Sequence, residues 1–214
     1  MVQIAPSLLS ADFLHLEDDV RMVNRYADIF HLDIMDGVFV PNISYGFPVV
    51  EAISSIAAKP LDVHLMIVNP EKYVERFSKA GASMLSFHLN ATENPGETVD
   101  LIHNCGMKAG IAINPDIPVE ELFPYIGKCD FFLIMSVFAG FGGQKFIEET
   151  YNRIKTLDKE IKKQGSSAII EVDGGVSSSN SAALVEAGAG ILVAGSAVFK
   201  AQSPSEVISL MRGN

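Results

Sequence analysis

Four side chains whose types suit metal-assisted acid–base chemistry stand at the ends of three apolar segments. HLDIMDG contains His31 and Asp33, LDVHLM contains His64, and EVDGG contains Asp173. Residues two apart on a strand share a face and lie about 6.6 Å from each other, so His31 and Asp33 can converge on one ion. Mixed imidazole and carboxylate ligands suit Zn, Fe, Mn or Co better than Mg or Ca. We therefore predict a site for one divalent cation of the former kind.

The alternative interpretation is that each of these residues is an isolated buried polar group whose hydrogen bonds the backbone satisfies. Four such groups at strand ends favour the metal site, because a buried charge is costly unless it is paired or bound to metal. His88, in SFHLN, is a weaker candidate, either a neighbour of the site or a core histidine. Met35, Met66 and Met135 also end apolar segments; core filling is the simpler interpretation, although their shared placement suggests an apolar wall.

Glycine-rich turns follow the last three apolar segments and predict a phosphate site. Each precedes a helical pattern, and glycines there let backbone N–H groups approach an anion at the positive end of a helix. Ordinary turn geometry is the alternative for any one of these turns, but three at neighbouring strand ends favour phosphate binding. The residues are Gly140, Phe141, Gly142 and Gly143, then Gly174 and Gly175, then Gly195 and Ser196.

Eight short apolar segments, separated by amphipathic stretches, must position these groups. Their length and their β-branched or aromatic content predict strands. Several of the stretches between them open with a capping residue or proline and close on glycine, as helices do. The strand segments are IAPSLLS from Ile4, DIFHLDIM from Asp28, LDVHLMI from Leu61, SMLSFHL from Ser83, KAGIAI from Lys108, FFLIMSV from Phe131, AIIEVDGG from Ala168 and GILVAGSAVF from Gly190.

This alternation predicts an α/β protein, a single (β/α)8 TIM barrel that forms one domain over residues 1–214. Eight units share 214 residues, about 27 each, which is close to the minimal unit of such a barrel. A doubly wound open sheet shares the alternation, but the first strand lacks the glycine-rich fingerprint that such a sheet usually has. Gly37 to Pro48 is the only long connection that we expect, as an ordered loop.

Composition excludes several classes of function. The formal net charge of −10 disfavours nucleic acid and anionic membrane surfaces as partners. No apolar stretch approaches the ~18 residues that a spanning helix needs, and the N-terminus does not resemble a signal peptide. Two isolated cysteines, Cys105 and Cys129, fit a reducing compartment, so we expect a cytoplasmic protein. We separately expect a homo-oligomer.

Six segments, in the same order, resemble the signatures of the ribulose-phosphate 3-epimerase family. The resemblance extends from Ile4 to about Phe199. It implies a barrel that binds one divalent metal and interconverts D-ribulose 5-phosphate and D-xylulose 5-phosphate, small phosphorylated ketoses of the pentose phosphate pathway. The segments are IAPSLLSADF, HLDIMDGVFVPN, PLDVHLM, GFGGQKF, EVDGG and VAGSAVF.

The resemblance also implies roles for individual residues. His31, Asp33, His64 and Asp173 fall on metal ligands, and Asp33 and Asp173 also form the acid–base pair. Ser7 and His64 fall on substrate contacts. The substrate and phosphate loops comprise Gly140, Phe141, Gly142, Gly143, Gly174, Gly175, Gly195 and Ser196.

Two departures from the family pattern leave alternatives open. Phe138-Ala139 stands where the family usually has Asn-Pro or Asp-Pro before GFGG, and the usual Glu-Ala after the strand-four histidine is absent from HLNATEN. A neighbouring group acts on D-allulose 6-phosphate, one carbon longer, and is the second candidate. A catalytically silent barrel that binds a sugar phosphate is the third.

Overall fold

The computed structural model describes residues 2–213 and shows eight parallel strands in one sheet. Their order is β1-β8-β7-β6-β5-β4-β3-β2, and a parallel bridge between Ser7 and His31 joins the first strand to the second. The predicted (β/α)8 TIM barrel is therefore confirmed. The strands are β1 (Gln3–Pro6), β2 (Phe30–Met35), β3 (Leu61–Met66), β4 (Met84–His88), β5 (Lys108–Ile113), β6 (Phe131–Met135), β7 (Ile169–Asp173) and β8 (Ile191–Ala194).

Helices cover the outside of the strands. The longest, Thr150–Lys163, ends with Lys162 and Lys163, whose positive charges complement the helix dipole. The connection from β5 to β6 carries only a 3₁₀ segment, Val119–Tyr125. The α-helices are α1 (Leu16–Tyr26), α2 (Phe47–Ile56), α3 (Val74–Lys79), α4 (Pro95–Asn104), α5 (Thr150–Lys163), α6 (Ser181–Ala187), α7 (Ser196–Phe199) and α8 (Pro204–Met211).

Alternation along each strand divides the side chains between two environments. On β2, Leu32 and Ile34 join the large apolar core beneath the helices, whereas His31 and Asp33 point into the barrel. Period-two geometry produces this division, because successive side chains of a strand leave opposite faces. The polar face that the sequence predicted for β2 is thus the interior face.

Apolar side chains fill the interior at the N-terminal end of the strands. Ile29, Met84, Phe131 and Ile191 form one buried cluster there. The Phe131 ring lies against Gly110 of β5, where an added Cβ would stand 2.4 Å from two ring carbons. The cluster therefore closes this end of the barrel by packing.

The loops differ from the sequence prediction in two respects. Helix α2 begins at Phe47, so the ordered loop after β2 ends at Gly46, two residues earlier than the predicted Pro48. The connection between β6 and α5, residues 136–149, is longer than this loop, so the prediction of a single long connection was wrong. Within residues 2–213, no helix is long and apolar enough to cross a membrane.

Candidate active site

The four predicted ligand residues meet inside the barrel at the C-terminal ends of the strands. One ligand atom from each of His31, Asp33, His64 and Asp173 lies within 4.8 Å of the others. Asp33 on β2 and His64 on β3 are direct partners in the sheet register, while Asp173 ends β7. Both histidines are fully buried. The fold therefore concentrates residues that lie up to 142 positions apart in the sequence.

Asp33 is the centre of this group. Its Oδ1 lies 3.3 Å from Nε2 of His31 and 3.1 Å from Nδ1 of His64. Its Oδ2 accepts a hydrogen bond of 2.5 Å from the hydroxyl of Ser7, at the end of β1. Each carboxylate oxygen thus has its own partners, and these contacts fix the plane of the carboxylate.

The donor set fits a divalent cation. Nε2 of His31 is buried and has no hydrogen-bond partner, although Asp33 stands beside it. A buried nitrogen without a partner costs free energy, and a cation bound to it would remove that cost. Two imidazoles and two carboxylates are the ligand types that borderline transition metals accept. The cluster can therefore hold such an ion.

The two aspartates experience opposite electrostatic environments. Burial disfavours the charged form of Asp33, but His31 and His64 outweigh that effect and hold its pKa well below the ordinary range. Burial and the nearby charge of Asp33 raise the pKa of Asp173 to about 6. The two carboxyl groups therefore titrate over separate ranges, which is typical of an acid–base pair.

Two carboxyl groups that the sequence analysis did not select lie deeper in the barrel. Oδ2 of Asp62 accepts a hydrogen bond of 2.6 Å from Nδ1 of His31, and Oε1 of Glu171 lies 3.5 Å from the same nitrogen. Both residues are fully buried. Burial and the charge of Asp62 raise the pKa of Glu171 to about 8. The two-residue periodicity of strands could have identified them. Asp62 precedes His64 by two residues, and Glu171 precedes Asp173 by two, so each shares a strand face with a predicted ligand.

His88 and Ser136 support the site from β4 and from the end of β6. Nε2 of His88 lies 3.0 Å from Nε2 of His64, and burial lowers the pKa of His88 well below the ordinary value. The hydroxyl of Ser136 donates to the backbone oxygen of Asp173 at 2.8 Å, and its N–H donates to the same oxygen at 2.7 Å. These contacts hold the second imidazole and the end of β7.

A pocket opens above the cluster at the C-terminal end of the barrel. Ser7, Asp33 and Asp173 form part of its wall, and His64 lies behind them without lining it. Three methionines, Met35, Met66 and Met135, supply an apolar side. The predicted loop residues all line this pocket, namely Gly140, Phe141, Gly142, Gly143, Gly174, Gly175, Gly195 and Ser196.

The glycine turns approach neighbouring segments more closely than other residues would allow. Gly174 has a φ of +115°, and an added Cβ would stand 2.9 Å from the backbone nitrogen of Val137. Of the three turns, only the one at Gly195 directly precedes a helix, the short α7. The other two lie six or more residues before α6 and α5, so all three turns precede helices as predicted, but only the turn at Gly195 adjoins the positive end of one.

Comparison with known proteins gives one family. Residues 3–199 match the model of the "Ribulose-phosphate 3 epimerase family". Curated relatives named ribulose-phosphate 3-epimerase include those of Synechocystis sp., 46% identical over 100% of this chain and 94% of the relative, and Bacillus subtilis, 44% identical over 100% of both. A relative from Oryza sativa, named as a cytoplasmic isoform, is 43% identical over 98% of this chain and 92% of its own length.

Solved structures with lower identity share the fold. A mutant tryptophan synthase alpha-subunit from Pyrococcus furiosus superposes with a TM-score of 0.73 at 15% identity, covering 99% of this chain and 98% of its own. KGPDC from Streptococcus mutans gives 0.75 at 12% identity, over 100% and 96% of the two chains. At such identity the similarity concerns the architecture of the barrel alone.

Proposed function

Because the chain belongs to the ribulose-phosphate 3-epimerase family, we propose that it interconverts D-ribulose 5-phosphate and D-xylulose 5-phosphate. The chain is an epimerase, and the proposal concerns its substrate and the residues that act on it. The observation that carries it is the placement of Asp33 and Asp173 in the wall of one pocket whose rim is formed by glycine turns. Carboxyl groups can exchange a carbon-bound proton, and the turns can hold a phosphate.

Inversion at C3 requires proton transfer on both faces of the substrate. We assign Asp33 as the base that removes the C3 proton and Asp173 as the acid that delivers a proton to the opposite face of the enediolate. They come from β2 and β7, which are separated in the barrel by β1 and β8. The low pKa of Asp33 and the raised pKa of Asp173 support this assignment. In the reverse reaction the two roles exchange.

We propose that His31, Asp33, His64 and Asp173 hold one divalent cation, which is Zn, Fe, Mn or Co. When bound, such an ion acts as a Lewis acid that polarises the C2 carbonyl and thereby acidifies C3. The hydroxyl of Ser7 donates to Oδ2 of Asp33 and holds this carboxylate in the pocket wall. His64, which the family resemblance also assigns to a substrate contact, lies behind this wall, and its position supports the ligand role.

The remaining loops supply the binding contacts in this proposal. Backbone N–H groups at Gly174, Gly175, Gly195 and Ser196 bind the phosphate, as is common after the last two strands of a barrel. Ser7 contacts the sugar, and Gly140 to Gly143 cover it. All of these residues line one pocket with the two aspartates, which supports a single extended substrate spanning from cluster to rim.

Incubation with each sugar phosphate in heavy water tests the reaction. We expect deuterium at C3 and a higher kcat/KM for D-ribulose 5-phosphate than for D-allulose 6-phosphate, with bound divalent metal found by elemental analysis. A higher kcat/KM for the hexulose phosphate would reassign the substrate. Stoichiometric binding without exchange would indicate a silent sugar-phosphate-binding barrel. Full activity in chelator without bound metal would contradict the metal site.

We further propose a homo-oligomer in the cytoplasm that binds neither nucleic acid nor membrane surfaces. Exposed apolar side chains in the loops that follow β1 and β2, including Leu14, Val38 and Ile43, support self-association. The name of the rice relative supports the compartment, and the net charge of −10 supports the absence of nucleic acid and anionic membrane surfaces as partners. Sedimentation velocity measures the oligomeric state, and a monomer at micromolar concentration would contradict this proposal.

A further inference from the structure

Three side-chain amides hold the tip of the loop that follows β6, and we call Asn42, Asn114 and Gln144 the amide clamp. The tip consists of residues 138–141, all of which line the pocket. Nδ2 of Asn42 donates to the oxygen of Gly140 at 2.9 Å. Nε2 of Gln144 donates to the oxygens of Phe138 at 2.6 Å and Phe141 at 2.9 Å. Each amide binds backbone groups, so the clamp fixes the path of the tip.

Asn114 is the member of the amide clamp whose side chain accepts a hydrogen bond from the tip, whereas the other two donate. Its Oδ1 accepts a hydrogen bond of 3.0 Å from the backbone N–H of Ala139. A proline at this position would have no N–H, so the bond exists only because another residue stands there. Asn114 follows β5 directly, whereas Ala139 belongs to the long connection after β6. The bond therefore links the loop tip to the end of a neighbouring strand.

Asn114, which accepts this bond, is itself held in place by Arg153. The guanidinium of Arg153, on α5, donates to the backbone oxygen of Asn114 at 2.8 Å. It also donates to the oxygens of Met135 at 3.0 Å and Ile117 at 3.2 Å. Arg153 is largely buried, so these contacts tie the chain after β5 to the end of β6. A fixed anchor is a condition for transmitting position to the tip.

We propose that Asn114 is a positioning residue for the epimerase reaction, because its bond to Ala139 keeps residues 138–141 in the arrangement that lines the substrate pocket. This inference rests on the proposed function. Asn114 touches no reacting group in that mechanism, so its loss weakens binding of the substrate by leaving the tip to be ordered at each encounter. Preordering lowers the entropic cost of binding.

Asn114→Ala tests the kinetic consequence. We expect kcat/KM to fall about 2- to 10-fold, the range for one hydrogen bond, mainly through KM. Asn24→Ala is the matched control, because the side-chain amide of Asn24 also binds backbone groups, the oxygen of Ile56 and the N–H of Ala58, away from the pocket. The control is expected to keep its kinetic constants. An unchanged KM in Asn114→Ala would overturn the proposal.

Ala139→Pro removes the same bond from the other side and completes a double-mutant cycle. In the Ala139→Pro background, Asn114→Ala is expected to change kcat/KM by less than about 2-fold, because the bond is already absent. An equally large effect of Asn114→Ala in both backgrounds would show that Asn114 acts through another contact, and would overturn the proposal.

Limited digestion with chymotrypsin measures the tip without substrate. Phe138 and Phe141 are half-exposed and offer cleavable bonds within the tip. We expect Asn114→Ala to be cut there several times faster than the parent and Asn24→Ala. Equal rates would overturn the proposal. Absence of epimerase activity in the parent chain, with faster cleavage of Asn114→Ala, would instead count against the proposed function. It would still support the role of the bond between Asn114 and Ala139 in ordering the tip.

Discussion

The two ends of the barrel interior are built from the same strands with opposite chemistry. At the N-terminal end, Ile29, Phe131 and Ile191 pack together as an apolar plug. At the C-terminal end, the interior positions carry the His31, Asp33, His64 and Asp173 cluster, with Asp62 and Glu171 beneath it. On β7 alone the interior side chains change from Ile169 to Glu171 to Asp173. Strand geometry therefore selects which residues face inward, and position along the strand separates packing from chemistry.

The two ends of the barrel interior also differ in their contribution to the stability of the fold. The N-terminal plug is built from apolar side chains and stabilises the barrel by burying their surface. The C-terminal end buries Nε2 of His31, Oδ1 of Asp62 and both carboxyl oxygens of Glu171 without hydrogen-bond partners. Unpartnered buried polar atoms cost stability. The plug therefore stabilises the barrel, whereas the cluster carries a cost in stability that fits its proposed role in the reaction.

The largest effect is expected from replacing the reactive carboxyls. Asp173→Asn and Asp33→Asn should each lower kcat about 10²- to 10⁴-fold, because neither amide can exchange the C3 proton. The thermal stability of metal-free Asp173→Asn should not fall, since the substitution removes repulsion from Asp33. Steady-state kinetics and calorimetry measure both, with surface Asp100→Asn as the control. Near-normal turnover in either variant would contradict the separation of packing from chemistry.

Phe131→Ala tests the opposite end. Loss of a buried aromatic ring should lower the free energy of unfolding by about 3 to 5 kcal/mol. At a temperature where the variant stays folded, kcat should remain within about 2-fold of the parent, because Phe131 lies at the N-terminal end of its strand. Urea denaturation and kinetics measure the two quantities, and Phe131→Leu should lose less stability. A folded Phe131→Ala as inactive as Asp173→Asn would show that the plug takes part in catalysis.

Asp62→Asn probes the supporting contacts within the polar end. The carboxylate accepts from Nδ1–H of His31 and leaves Nε2 free for a cation. Its loss should weaken metal affinity about 10- to 100-fold, the range for such supporting contacts. Competition with a chelator of known affinity measures this, with Asp100→Asn as the control. Unchanged affinity would mean that packing alone orients the imidazole.

Glu171→Gln should leave the reaction chemistry in place and change stability in a way that depends on pH. The folded-state pKa of about 8 exceeds the ordinary 4.5, so the protonated carboxyl stabilises the metal-free fold at low pH and that stability is lost as pH rises toward 8. Glutamine does not ionise, so the variant's Tm should gain on the parent's between pH 5 and pH 8. Each kcal/mol of difference in the free energy of unfolding corresponds to about 2 to 4 °C in Tm. A difference in Tm between variant and parent that stays constant with pH would contradict the claim that Glu171 is protonated in the metal-free fold.

Sequence patterns predicted the strands, and the polar side chains that face the barrel interior, better than the loops. Apolar segments with polar residues at alternate positions led to His31, Asp33, His64 and Asp173, because two-residue periodicity is a local property. The same rule extends to Asp62 and Glu171, which were overlooked because each sits one layer deeper. The path of residues 136–149 was not predicted, since it depends on Asn42 and Asn114 from distant parts of the chain.

Local apolar periodicity was enough to define the eight strands, the inward face of each and the identity of the polar side chains, because all three depend on residues close together in the chain. Which of those side chains meet was decided by the closed barrel. Its closure at Ser7 and His31 brings the ends of β1, β2 and β7 around one pocket. The register between β2 and β3 places Asp33 beside His64. The pKa of each carboxyl, the partner of each imidazole and the bond from Ala139 to Asn114 arise from contacts between distant segments, which no local pattern encodes.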